Sequence, residues 1–405
     1  MRRSITLVAV LGTSLALAAC SGTSTPAKTT AAVKGGNLTI WVDETRKPAV
    51  EAAAATFEKE TGSTVTLVQK NYDDLRTDFA AQVPTGKGPD ITVGANDWLG
   101  EETANGLVAP IELGDKAKDF EPVALAAFTS DKQVYALPYA VENVGLIRNT
   151  ALAPKAPATW DEAIATGKAA GTKYPMLVQM NGEKGDPYTA YALQTSFGAP
   201  LFETNKDGSY AAKLALGGAP GEAFAKFLAA QGAAKVLDPA VTYDIAVAAF
   251  AAGQSPYIIG GPWMLEKFTG LKLAIDPIPS AGDKPAQPFV GVQGFYINAK
   301  SKNTLLANDF LVNYMATKDA QMALYKAGNR PPALIAAADE ASADPMTAGF
   351  RAVGKDAVPQ PSIPEMAQVY SFLGVTEAAI VSGKTEPVAG WQKMVSDIQG
   401  AIKAS

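Results

Sequence analysis

From residue 37 onward, short extended runs and helical stretches take turns along the chain. Asn37-Leu38-Thr39-Ile40-Trp41-Val42 reads as a strand. A helical stretch follows, with Pro48 near its start, Val50, Ala54 and Phe57 on one face, and a stop at Thr61-Gly62. Thr64 to Val68 alternates like a strand. Asp73 to Val83 is helical, with Leu75, Phe79 and Val83 on one face, and Asp90 to Val93 is the next strand. Strands alternating with helices specify parallel sheets and an α/β fold.

The pattern restarts further on. Thr159-Trp160-Asp161-Glu162 reads as a capping box, with Thr159 at the cap and Glu162 three residues in. Met176 to Met180 reads as a strand, Val241 to Ala252 as a helix, Tyr257 to Ile259 as a strand, and Phe289 to Asn298 as an extended segment. From Thr304 the chain is mostly helical, with breaks near Pro331 and between Pro359 and Pro364. No repeat of fixed period is present.

The first twenty residues are a different kind of sequence. Arg2 and Arg3 precede an apolar run from Ile5 to Ala18, too short to span a bilayer. Leu17-Ala18-Ala19-Cys20 then resembles a bacterial lipoprotein cleavage site, and Cys20 is the sole cysteine. The expectation is a mature protein that starts at a lipidated Cys20 and stands outside the cell membrane, held by that lipid alone. Residues 21–36 are rich in Ser, Thr, Ala, Gly and Lys and are expected to be a flexible tether. Roughly 370 residues remain, enough for two domains of about 150 each.

Composition removes several functions. The formal net charge is −5 with no basic stripe, which argues against nucleic acid as a partner. One cysteine allows no internal disulfide. The chain has no histidine, which excludes Ser-His-Asp and Cys-His triads and any His-bearing zinc site. No Asp-rich calcium loop is present, and neither cofactor nor metal is expected.

A colinear set of segments resembles the bacterial extracellular solute-binding proteins of ABC importers, in the maltose/maltodextrin-binding branch. They include Leu38-Thr39-Ile40-Trp41, Phe57-Glu58-Lys59-Glu60-Thr61-Gly62, Gly86-Lys87-Gly88-Pro89-Asp90-Ile91, Tyr135-Ala136-Leu137-Pro138-Tyr139-Ala140-Val141-Glu142, Gly260-Gly261-Pro262-Trp263 and Ile363-Pro364-Glu365-Met366. The resemblance implies a two-lobe periplasmic-binding-protein-like α/β fold that closes over ligand like a hinge. Lobe one would hold residues 37–142 and 293–343, and lobe two 145–290 and 347–405. Crossings would fall near 140–143, 291–294 and 343–346. The implied partners are an oligosaccharide and the permease subunits of an ABC transporter, and the implied state is a monomer.

A sugar presents hydroxyls and apolar C–H faces, so its site needs aromatic planes together with carboxylates or amides. By resemblance, Trp263 and Tyr370 are stacking aromatics; packing in a core or along a helix is the alternative for each. Asp97 matches a hydroxyl-binding aspartate. Trp98 stands beside it where relatives often carry arginine, and Gly94 where some carry tryptophan. Glu142 falls in the first crossing. Asp186 and Tyr188 match a Glu-Pro-Tyr pattern, with helix capping the competing role for Asp186. Asp43, Glu44 and Arg46 follow the first strand, where polar contacts are expected. Asp74, Arg76 and Arg330 are weaker candidates. Binding and delivery of a maltose- or maltodextrin-like sugar is the leading function. The alternatives are another sugar such as trehalose, a non-sugar solute, a ligand-presenting signalling lipoprotein, or a secreted glycosidase, which would need two facing carboxylates.

Overall fold

The computed structural model describes residues 35–205 and 209–404. The leader, Cys20 and residues 21–34 of the tether lie outside them. Among the described residues no helix is long and apolar enough to cross a membrane.

The first strand–helix unit follows its local chemistry closely. β1 (Asn37–Val42) leads into α1 (Lys47–Thr61), which carries Pro48 in its first turn, where a missing N–H costs no hydrogen bond. The helix buries Val50, Ala54 and Phe57 on one face. It ends at Gly62, which takes the left-handed conformation (φ 71°) and donates its N–H to the Glu58 carbonyl. β2 (Thr64–Gln69), α2 (Tyr72–Gln82) and β3 (Ile91–Ala95) follow. Asn71 caps α2 by accepting the Asp73 N–H. After β3 come α3 (Leu99–Ala104) and β4 (Val108–Ala109).

Among the described residues the larger sheet has seven strands. β1 pairs in parallel with β2 and β3. The centre of the sheet comes from much later in sequence. β9 (Phe289–Asn298) lies antiparallel to β3, to β4 and to β5 (Ala136–Asn143), and parallel to β10 (Val358–Pro359). Along β5 and β9 the register slips between Gln293 and Gly294: Ala140 faces the first and Pro138 the second, leaving Tyr139 as the extra residue of a bulge. A smaller antiparallel sheet places β6 (Gly145–Asn149) between β7 (Tyr257–Gly260) and β8 (Leu273–Asp276).

The same part of the chain carries α4 (Trp160–Ala169), α5 (Pro187–Thr195), α6 (Gly218–Ala233) and α7 (Tyr243–Ala251), the last of them packed on β7 of the small sheet. Thr159 caps α4 as expected, accepting the Glu162 N–H, while the Glu162 carboxylate reaches back to the Ala158 N–H, one residue beyond the usual capping-box target. Residues 176–180 differ from expectation. Leu177 alone pairs with β7, and Met180 instead donates its N–H to Val241, so the apolar run is buried but does not form a strand. The C-terminal part is helical: α8 (Lys318–Gly328), α9 (Ile335–Ala341), α10 (Pro345–Gly354), α11 (Met366–Val381) and α12 (Pro387–Ala404).

The apolar side chains separate into distinct cores. One draws on residues 38–140 and 292–337. A second draws on residues 144–289 and 366–398, and a smaller third, around Ile147, Phe250 and Phe350, packs against the small sheet. The first core changes to the second within β5 and again within β9. Successive residues of a strand face opposite sides. Val141 and Asn143 of β5 line a cavity of about 600 Å³ with Glu121, Val290, Pro331 and Arg351, and Glu142 between them points to the other side.

Candidate ligand-binding site

On that other side, polar groups from the first core meet aromatic rings from the second. Glu142 lies near the middle and is 5% exposed. Its Oε1 accepts the Nε2 amide of Gln293 at 2.9 Å, and Gln293 Oε1 accepts both the Tyr72 hydroxyl (2.9 Å) and Arg46 Nη2 (3.2 Å). An amide oxygen that takes two donors leaves its nitrogen free for the carboxylate, so the orientation of Gln293 follows from its neighbours. Arg46 also donates to Asp43 at 2.5 Å and to the Tyr139 hydroxyl, and its guanidinium lies 4.7 Å from the Tyr72 ring centroid. The bulge at Tyr139 is what brings that hydroxyl into the network.

Burial works to raise the Asp43 pKa, but Arg46 beside it prevails and holds the carboxyl below its ordinary value. A buried ion pair of this kind fixes geometry more than it adds stability. Glu44, next in sequence, is exposed and faces the charge of Lys267.

A second group surrounds Asp97. β3 delivers Asn96, Asp97 and Trp98 into a short turn at its carboxyl end. Asn96 ties the turn down by donating to the Gln360 carbonyl (3.1 Å) and accepting the Val292 N–H (2.8 Å). Asp97 faces Arg76 Nη1 at 3.8 Å, and Arg76 also holds Glu101 at 2.7 Å and lies 6.0 Å from the Tyr370 ring centroid. Burial raises the Asp97 pKa despite Arg76. Tyr370, from α11, approaches Asp97 with its hydroxyl and accepts Gln360 Nε2 at 2.6 Å. Trp98 is 6% exposed and lies beside Tyr72, ring centroids 6.0 Å apart. Gly94 makes this placement possible, since a Cβ there would come within 2.4 Å of the Trp98 ring. Asp74 is exposed on the first turn of α2, away from this group.

The third group joins the two sides. Arg330 Nε stands 2.7 Å from Glu142 Oε2, an ion pair whose angle falls outside hydrogen-bond geometry. The Arg330 guanidinium carbon lies 5.6 Å from the Trp263 ring centroid. Trp263 is half-buried in the turn after β7, with Tyr188 tilted toward it at 6.4 Å. Glu142 Oε2, Arg330 Nε and the Tyr188 hydroxyl are buried and have no hydrogen-bond partner. Buried polar atoms ordinarily do have one. Gly291 keeps the space between them open: a Cβ there would lie 3.5 Å from the Tyr188 hydroxyl and 3.9 Å from Glu142 Cγ.

Asp186 sits differently. It caps α5 and accepts from the Thr189 N–H (3.1 Å), the Thr189 hydroxyl (3.1 Å), Asn181 Nδ2 (3.3 Å) and Gln179 Nε2. Burial raises its pKa, and these donors oppose that. Its acceptor capacity is taken by its own loop.

The sequence reading did not single out Gln293, Tyr72, Tyr139, Asn96 or Gln360. Gln293 had a signal: it is the polar residue at the centre of an otherwise apolar run, Phe289-Val290-Gly291-Val292-Gln293-Gly294-Phe295. A wholly buried strand keeps such a residue only where partners await it.

The family model for bacterial extracellular solute-binding proteins matches residues 52–349. The chain belongs to that family. Among solute-binding proteins, a galactooligosaccharide-binding protein of Bacillus subtilis is 27% identical over 411 residues, covering 96% of this chain and 95% of its own. A maltooligosaccharide ABC transporter solute-binding lipoprotein of Streptococcus pneumoniae is 26% identical, covering 98% and 97%. A Thermus thermophilus maltotriose-binding protein, solved with maltotriose bound, superposes with a TM-score of 0.81 at 29% identity, covering 90% of this chain and all of that one. The fold is therefore the two-lobe α/β fold of periplasmic binding proteins, as the sequence resemblance implied.

Proposed function

We propose that this solute-binding protein captures a neutral oligosaccharide of the maltodextrin or galactooligosaccharide type and delivers it to an ABC permease without altering it. The observation that carries the reading is the convergence of the Glu142–Arg330 ion pair and the Tyr188 hydroxyl, which has no hydrogen-bond partner, beside the rings of Tyr188 and Trp263. Donors and acceptors next to aromatic faces match the two chemistries of a sugar. Charge balance supports a neutral ligand, because Arg46, Arg76 and Arg330 each face a carboxylate already. An anionic or cationic solute would have to break one of these pairs inside a buried site, which is costly.

The residues proposed to touch sugar are Glu142, Asp97, Tyr188, Trp263 and Tyr370, with Asp43, Arg46 and Gln293 behind them and Arg330 paired to Glu142 beside them. Glu44 and Asp74 are left outside the site. The lobes divide as the sequence reading drew them, and the change of core within β5 and β9 supports this. Ligand that contacts both lobes closes them through its difference in affinity for the two states. The lipid anchor at Cys20 and the extracytoplasmic location rest on the leader motif and on the lipoprotein among the relatives. The protein is read as a monomer.

The test is calorimetric titration with maltooligosaccharides and galactooligosaccharides, with recovery of the sugar afterwards. Saturable binding of an unchanged sugar is expected. At 100 times its dissociation constant that sugar should add about 2.7 kcal/mol of stability, and scattering should show a smaller radius of gyration. Cleavage of the sugar, or binding to neither series, would overturn the reading.

A further inference from the structure

Arg330 lies over the Trp263 ring, its guanidinium carbon 5.6 Å from the centroid. Backbone bonds fix the loop that carries it. Asn329 closes α8 in the left-handed conformation (φ 54°), Val141 donates its N–H to the Pro331 carbonyl at 2.9 Å, and Ala333 donates to the Tyr139 carbonyl at 2.9 Å. Pro332 bridges Ala140 between these two bonds. The Arg330 backbone is thus clamped along β5 while its side chain projects across the junction. Gly328 leaves room for the guanidinium, since a Cβ there would lie 2.8 Å from Arg330 Nη1.

Trp263 is half-buried, with Gly261 and Tyr188 as further neighbours of its ring. A Cβ on Gly261 would come within 2.1 Å of the benzo edge of the indole, and the Tyr188 ring stands at 47° to it. A sugar face that stacks on the side of the indole over which the Arg330 guanidinium lies has to displace it. A guanidinium and a sugar face both need van der Waals contact with the same ring, so they cannot occupy it together.

We propose that Arg330 is an internal competitor for Trp263: its guanidinium swings off the indole as a sugar ring stacks there, and it remains tethered through Glu142. This rests on the oligosaccharide reading and goes beyond it by assigning a specificity-determining role. A ligand that offers a flat C–H face recovers on stacking what the guanidinium gives up. One that offers hydroxyls alone does not, so Arg330 filters for stacking sugars.

A double-mutant cycle tests this, read by titration with maltotriose. All four proteins carry Glu142→Gln, so that removing Arg330 leaves no unpaired buried carboxylate. Arg330→Ala is expected to tighten maltotriose binding about 2- to 30-fold, the fold-equivalent of one cation–π contact. In Trp263→Ala protein the same substitution is expected to change nothing. Weaker binding on loss of Arg330, or an equal effect with and without Trp263, overturns the inference. Where Arg330→Ala does not fold, Arg330→Gln replaces it, and where Glu142→Gln binds too weakly the unsubstituted background does; the criterion stays the dependence on Trp263. Binding of no neutral oligosaccharide by the unsubstituted protein removes the oligosaccharide reading and this inference with it. A Trp263-independent effect removes this inference alone.

Discussion

The first core and the second present unlike walls to their junction. From the first come Asp43, Arg46, Arg76, Asp97, Glu142 and Arg330, charged groups locked into pairs by neighbours on several strands. From the second come Tyr188, Trp263 and Tyr370, whose rings sit on a turn and on helices, while Asp186 beside Tyr188 is occupied as a cap. In the charged wall each ion is paired with another. The aromatic wall needs no such scaffolding, because a ring's stacking capacity depends on which face is open. On the proposed reading a polyhydroxylated ligand calls for both, so neither core alone completes the site.

Removing the central ring should separate the two walls most sharply. Trp263→Ala is expected to weaken sugar binding by about 2 kcal/mol or more, roughly thirtyfold, with little change in the unliganded melting temperature. Calorimetry and a melt on one preparation decide it. A large fall in the melt with affinity intact would make Trp263 a core residue and the aromatic wall a misreading.

Each wall has a buried, unpartnered acid behind it, Glu377 on α11 behind the aromatic one and Glu102 behind the charged one. Glu102 on α3 is buried with both carboxylate oxygens unpartnered, and burial, helped by the like charge of Glu101, pushes its pKa up to about 7 from an ordinary 4.5. The folded state holds this proton more tightly than the unfolded state does. Its penalty is therefore absent below about pH 4.5, grows as pH rises, and is complete just above pH 7. Glu102→Gln should stabilise the protein by about 3 kcal/mol at pH 8 and by nothing at pH 4, read from denaturant melts. A gain of equal size at both pH values would assign the effect to something other than ionisation.

Asp186→Ala should cost about 1 kcal/mol of stability through loss of the α5 cap and leave sugar affinity within about twofold. A tenfold loss of affinity at unchanged stability would place a ligand-binding acid on the aromatic wall and break the contrast. The smallest effect is expected from Tyr370→Phe. It removes a hydroxyl that reaches Asp97 and Gln360 but keeps the ring, so affinity should fall about threefold or less. A larger loss would mean that Tyr370 reads hydroxyls rather than C–H faces.

The fold was legible because each local unit states its own limits: Pro48 and Gly62 bound α1, Thr159 starts α4, and the buried faces recur at helical spacing. Residues 176–180 misled because an apolar run has the same composition whether it pairs along its length or at one residue. Trp263, Asp97 and Glu142 were each proposed from their own short segment, the first two in turns and the third in β5. Their supports were not, since Gln293 meets Arg46, Tyr72 and Glu142 only through sheet register. Asp186 shows the converse, a residue whose pattern pointed to ligand and whose surroundings bind it to its own helix.

The position of β9 at the middle of the larger sheet has a consequence for how the chain comes together. β1, β2 and β3 are made early, but their link to β4 and β5 is a strand that begins at Phe289. A chain emerging N-terminus first therefore holds the edges of its first sheet long before it has the centre. The second core must be largely synthesised in between. Non-local pairing of this order slows folding and leaves strand edges open meanwhile. Refolding from denaturant should thus show the small sheet, whose three strands all precede Phe289, gaining protection from hydrogen exchange before β1 and β3 do.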